Sequence, residues 1–87
     1  MVKKKFYHII GLVLKNRKEN AIKLQEILST YAEIIKTRLG IHETKEEKDH
    51  GLIILHVEGN EKEIKKLIEE LNSLKEINAK LLTLEID

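Results

Sequence analysis

The chain has no cysteine among its 87 residues. That excludes a disulfide framework, a thiolate nucleophile and any Cys-based zinc or iron–sulfur centre. Excess charge is missing too, since 16 basic and 15 acidic side chains leave a net +1. A general electrostatic nucleic-acid binder gathers a basic excess on one face, so direct nucleic-acid binding is not expected. No apolar run approaches the roughly 20 residues of a membrane span, and no membrane partner is expected. Met1 to Lys5 resembles the charged start of a signal peptide. However, Phe6 to Leu14 contains His8 and runs into Lys15 to Glu19 without a small-residue cleavage site. A cytoplasmic protein is the expectation. Aromatics are scarce, with one Phe, two Tyr and no Trp. RNA binding of the RRM kind needs stacking aromatics on both central strands, and Phe6 and Tyr7 serve only one of them.

What is present is a strong alternation of strand and helix patterns. A length of 87 residues fits one domain, residues 1–87, whose modest core makes oligomerisation a useful aid to stability. Lysine greatly outnumbers arginine, and Ile, Lys and Glu dominate, which fits a thermophile or an AT-rich genome. Phe6 to Leu14 reads as a first strand, with Gly11 as a bulge or close-approach point. Asn16, with Glu19 three residues on, has the form of a capping box for a helix from about Arg17 to Tyr31. Ala21, Leu24, Ile27, Leu28 and Tyr31 fall on one face of that helix. Ile35, Thr37, Leu39 and Ile41 then alternate with Lys36, Arg38, Gly40 and His42 as a second strand. Glu43 to His50 holds no apolar residue and reads as a hairpin tip.

Leu52 to Val57 is the most apolar strand and suits a central place in the sheet. Gly59 makes a turn, and Asn60 with Glu63 repeats the cap ahead of a helix carrying Ile64, Leu67, Ile68 and Leu71 on one face. Lys75 to Asn78 connects to a last strand, Ala79 to Ile86. The order β-α-β-β-α-β predicts an α+β, ferredoxin-like two-layer sandwich with an antiparallel sheet and its first and third strands central.

In such a sandwich the helices cover one face of the sheet. Ile53, Leu55 and Val57 are assigned beneath them. Phe6, Ile10, Leu12, Leu52, Ile54 and Leu81 are assigned to the helix-free face, with His8, His42 and His56. Six large apolar groups there would form a patch that monomers rarely expose. A homodimer or tetramer is therefore expected, with Phe6, His8, Ile10, Leu12, Leu52, Ile54 and His56 at the interface.

No residue set has the spacing of a catalytic or cofactor site, so neither an enzyme nor a cofactor is expected. The carboxylates Glu43, Glu46, Glu47 and Asp49 alternate with Lys45 and Lys48 on a wet tip, where nothing shifts a pKa for acid–base work. A small enzyme of the dimeric α+β barrel type would need a buried His or carboxylate, and no core-facing position carries one. His8, His42 and His56, with His50 across the hairpin, could present imidazoles to a borderline metal. Without a local His pair or a Cys, interface or surface histidines are the plainer reading, and no metal is assigned. Lys15, Asn16, Arg17, Lys36 and Arg38 could form an anion or ligand site near the first helix, against a plainer reading as ordinary surface basicity.

Lys4 to Ile9, Asn16 to Ala21, Ile35 to Ile41 and Leu52 to Val57 together resemble a known family. These are small ACT-like proteins described as iron-only hydrogenase system regulators or transcriptional regulators. The resemblance implies a regulatory role, an ACT-like βαββαβ fold and self-association, and it implies no catalytic residue. Amino-acid-binding ACT domains resemble one another in a glycine-containing turn after the first strand. Here that turn is Lys15-Asn16-Arg17, which argues against an amino-acid effector. Related nickel-responsive repressors use His and Cys ligands and carry a separate DNA-binding segment; this chain has no Cys and no length to spare for one. The expected function is a non-enzymatic module that senses a small ligand or metal, or acts through a regulatory protein partner. The alternative is a structural or interaction subunit with no ligand of its own.

Overall fold

A computed structural model of the chain describes residues 5–42 and 50–86. The elements are β1 (Lys5–Leu14), α1 (Arg17–Thr30), β2 (Ile35–His42), β3 (Gly51–Val57), α2 (Glu61–Ser73) and β4 (Ile77–Ile86). They form an antiparallel sheet in the order β2-β3-β1-β4, with the two most apolar strands in the middle as the pattern predicts. Both helices lie on one face, giving the ferredoxin-like βαββαβ sandwich. The expected tip falls, over residues 43–49, outside the described residues. Among the described residues no helix is long and apolar enough to cross a membrane.

The core lies between the helices and one sheet face. Leu24 and Leu28 of α1 and Ile64, Leu67 and Leu71 of α2 are buried against Ile53, Leu55 and Val57 of β3. On β1 the residues facing the helices are Ile10, Leu12 and Leu14, which are 0%, 1% and 2% exposed. This corrects the assignment of Ile10 and Leu12 to the open face. The register explains it: Leu12 pairs with Ile53 and Ile10 with Leu55, and directly opposed residues share a face. Leu81 pairs with Ile10, so it too belongs to the helix side.

Three local features depart from the simple pattern. Asn60 caps α2 as expected, its Oδ1 accepting from the Glu63 N–H at 2.9 Å. Asn16 does not: it takes a left-handed conformation (φ 50°), and its side chain donates to the Glu76 carboxylate instead. Asparagine tolerates that region better than most residues. On β2 the ladder shifts between Ile35 and Thr37, so Lys36 is a bulge residue. Ile35 therefore pairs with Val57 on the helix side, while Thr37, Leu39 and Ile41 face away. Finally, β4 begins at Ile77, which pairs with Leu14 and is buried, two residues before the expected start. Asn72 of α2 fastens the outer edge of β4: its Oδ1 accepts from Ala79 N–H at 2.8 Å and its Nδ2 donates to Ala79 C=O at 3.0 Å. That amide satisfies backbone groups an edge strand would otherwise leave open.

Candidate functional site

With both helices on one face, none of the described elements covers the other face of the sheet. By register it carries Tyr7, Ile9, Gly11 and Val13 of β1, and Leu52, Ile54 and His56 of β3. Thr37, Leu39 and Ile41 of β2 and Asn78, Lys80, Leu82, Leu84 and Ile86 of β4 complete it. Eight of these (Val13, Leu39, Ile41, Leu52, Ile54, Leu82, Leu84 and Ile86) are large aliphatics between 36% and 54% exposed. Together they leave roughly 600 Å² of apolar side chain bare, at or above the ~300–600 Å² of the largest patch on a typical monomer.

The expected interface residues divide between the two sides. Leu52, Ile54 and His56 stand on the open face as assigned. Phe6 and His8 stand on the helix side, with Ile10 and Leu12 beneath the helices. Tyr7, Ile9, Val13, Leu39, Ile41, Leu82, Leu84 and Ile86 are open-face residues that the sequence reading left out. For β1 a signal was present: the odd set contains Gly11, so it offers less volume to a core than Phe6, Ile10, Leu12 and Leu14 do.

At the centre of this face Gly11 pairs with Ile54, and a Cβ built on Gly11 meets nothing within 4 Å. The face therefore has a hollow at its middle. Toward one end the rings of Tyr7 and His56 lie 6.0 Å apart, with the Lys5 ammonium 5.3 Å from the Tyr7 ring centre. His56 Nε2 is 3.8 Å from a Glu58 carboxylate oxygen, too far for a hydrogen bond, and has no hydrogen-bond partner.

The histidines do not converge as expected. His8 pairs with Val57 and His56 with Ile9, which puts them on opposite sides of the sheet. His8 Nδ1 is 3.0 Å from the Thr83 hydroxyl, and its ring stacks near Phe6 with centroids 6.3 Å apart. His42 holds the register position opposite Gly51, and His50 is exposed. Among the described residues no three His, Asp or Glu side chains come together to hold a metal ion.

Two of the clefts on the helix side take in residues of the expected sites. One, of about 480 Å³, runs along Phe6, His8, Leu81 and Thr83 to Asn60 and Ile64 at the start of α2. The other, of about 160 Å³, brings together Arg17 and Arg38 of the expected anion set, with Gln25 of α1 also in its lining. Lys15 instead lines an adjoining depression with Val13 that shares Leu14, Ile41, Gly51 and Leu52 with this cleft, so the expected set is divided between two neighbouring hollows.

The model of the TM1266-like family, whose description reads "Iron-only hydrogenase system regulator, putative", matches residues 7–81. Among solved structures the chain is similar to protein TM1266 from Thermotoga maritima. That match has a TM-score of 0.80 and 24% identity over 94% of this chain and 99% of that one. It is also similar to CPII from Thiomonas intermedia K12, a nitrogen regulatory PII-like protein bound to ADP, AMP and bicarbonate. There the TM-score is 0.67, with 12% identity over 99% of this chain and 100% of that one. At these identities the likenesses establish the shared fold. Comparison with the curated proteins finds no match.

Proposed function

This chain belongs to the TM1266-like family, and from that premise we propose that it is a non-catalytic regulatory module working by self-association through the open face of its sheet. The observation that carries the reading is the set of eight exposed aliphatics on one continuous face. A domain of 87 residues has little core to spare for so much bare apolar surface, and a second copy presents the same face. Burial of such area at about 25 cal/mol per Å² supplies a large gross driving force, from which ordering and orientation costs are subtracted.

In this reading the module acts in the cytoplasm in the manner of an ACT-like sensor. A small ligand that prefers one assembly state shifts the population toward it. Any effect on transcription then passes through a protein partner, because a net charge of +1 gives the chain no overall basic excess for nucleic acid. The PII-like signalling neighbours support a regulatory reading and suggest which ligands to try first. Sedimentation velocity over a concentration series, with and without ADP, AMP and bicarbonate, is the test. A dimer or tetramer whose dissociation constant moves with one ligand is the expected result. A monomer at every accessible concentration would sink the proposal. An assembly indifferent to ligands would favour a purely structural subunit.

A further inference from the structure

Arg17 and Arg38 are the two arginines of a chain whose other basic residues are all lysine, and both line one cleft of about 160 Å³. Arg17 is the first residue of α1, and Arg38 stands on β2 opposite Leu55, which is buried beneath the helices. The choice of arginine has physical content. A guanidinium offers five donors in a planar fork that matches carboxylate or phosphate oxygens, where an ammonium is a point charge. Arg38 is tied to α1 at the surface: its Nη1 donates to Gln25 Oε1 at 2.9 Å.

The floor of the cleft is equally specific. Gly40 pairs with Ile53 and so faces the helix side, yet a Cβ placed on it meets nothing within 4 Å. Its backbone does not demand glycine, since no glycine of the chain has a positive φ. A glycine inside a strand costs about 0.5–1 kcal/mol relative to alanine. Where neither conformation nor packing calls for it, it marks a place where something else approaches the backbone. The remaining lining is apolar, with Ala21 and Leu24 as one wall, and no carboxylate is among the described lining residues.

We propose that this cleft binds a small organic oxyanion, a carboxylate or phosphate held by Arg17 and Arg38 above Gly40, with a short apolar stem against Ala21 and Leu24. The cleft has room for an anionic head and a few carbons, and it adjoins a hollow of about 330 Å³ that shares Leu14, Ile41, Gly51 and Leu52 with it. The cleft lies mainly on the helix side, but Ile41 and Leu52 of the self-association face are also among its lining residues.

The test is a titration of ¹⁵N-labelled full chain with inorganic phosphate, and separately with acetate and butyrate, at ionic strength held constant with chloride. Saturable shifts centred on the Gly40, Gly51 and Ala21 amides are expected, and whichever probe binds tighter distinguishes a phosphate head from a carboxylate one. Arg38→Lys keeps the charge and removes the fork, so affinity should fall about tenfold, the equivalent of 1.4 kcal/mol. Gly40→Ala should weaken binding while leaving the melting temperature unchanged or raised. Absence of saturable shifts with all three probes would overturn the proposal. So would shifts spread over the lysine-rich surface, or binding that both variants leave intact. Sedimentation of the same samples keeps this outcome separate from the fate of the proposed assembly.

Discussion

Ile54 offers the sharpest test of the open face. It pairs with Gly11 on one side and Leu39 on the other, at the middle of the sheet, and is 36% exposed. Full burial of an isoleucine stabilises by about 1.5–3 kcal/mol, so the third still bare contributes roughly 0.5–1 kcal/mol per copy when covered. A symmetric interface counts each residue twice, giving about 1–2 kcal/mol. Ile54→Lys removes that contribution and adds two unpaired ammonium groups to the contact. Even with the side chains escaping toward the rim, each adds at least about 1 kcal/mol of desolvation. The sum is about 3 kcal/mol or more, a hundredfold or greater weakening of self-association. The isolated fold should hardly notice, because the lysine stem covers the same neighbours and the head points to water. Sedimentation velocity measures the first quantity, and urea denaturation of the dilute variant checks the second. If Ile54→Lys associates as tightly as the wild type while remaining folded, the open face is not where the copies meet.

Three further expectations follow from single residues. Gly11→Val should stabilise the isolated chain by about 0.5–1 kcal/mol in urea denaturation, because the place is empty and a β-branched residue suits a strand; filling the central hollow should at the same time hold two paired faces apart and weaken association. Gly59→Ala should cost about 1–3 kcal/mol, since the new Cβ would stand 2.9 Å from Ile34 Cγ2, whose side chain is buried; an unchanged melting temperature would show that Ile34 can move aside. The Tyr31 phenol is held above its ordinary pKa of 10.0 by desolvation, then by a hydrogen bond to Glu70 and the charges of Glu70 and Glu69. With the folded value raised, its contribution is intact below the unfolded value and is lost as pH climbs through the folded one. An absorbance titration should place the ionisation above that of free tyrosine and lower it in Glu70→Gln.

The order of elements could be read from the chain because the apolar period changes clearly between two and three to four. Ile53, Leu55 and Val57, for instance, alternate cleanly with residues that the structure leaves open. Strand β1 could not be resolved in the same way. Both of its faces are apolar, and choosing between them needs the pairing of Leu12 with Ile53, a fact about two strands rather than one. The Lys36 bulge was hidden for a related reason: Ile35 to His42 alternates convincingly, and only the ladder shows that Ile35 belongs to the other side. Asn16 and Asn60 carry the same Asn-x-x-Glu signal, yet only Asn60 caps its helix. Glu76 supplies the difference, giving the Asn16 amide a partner sixty residues away in sequence.

The candidate anion site behaved the same way. Arg17 and Arg38 were visible as basic residues, but nothing in their spacing says that they line one cleft while Lys15 lines another. Gly40 gains its meaning only from the space above it. Function in this chain therefore sits in relations across the sheet. Strand β2 shows this most directly, since Leu39 serves the open face, Arg38 and Gly40 serve the cleft, and Ile41 borders both. A ligand that fixes one side of that edge strand acts on the same backbone that presents the other side, so the two proposed sites need no separate device to communicate.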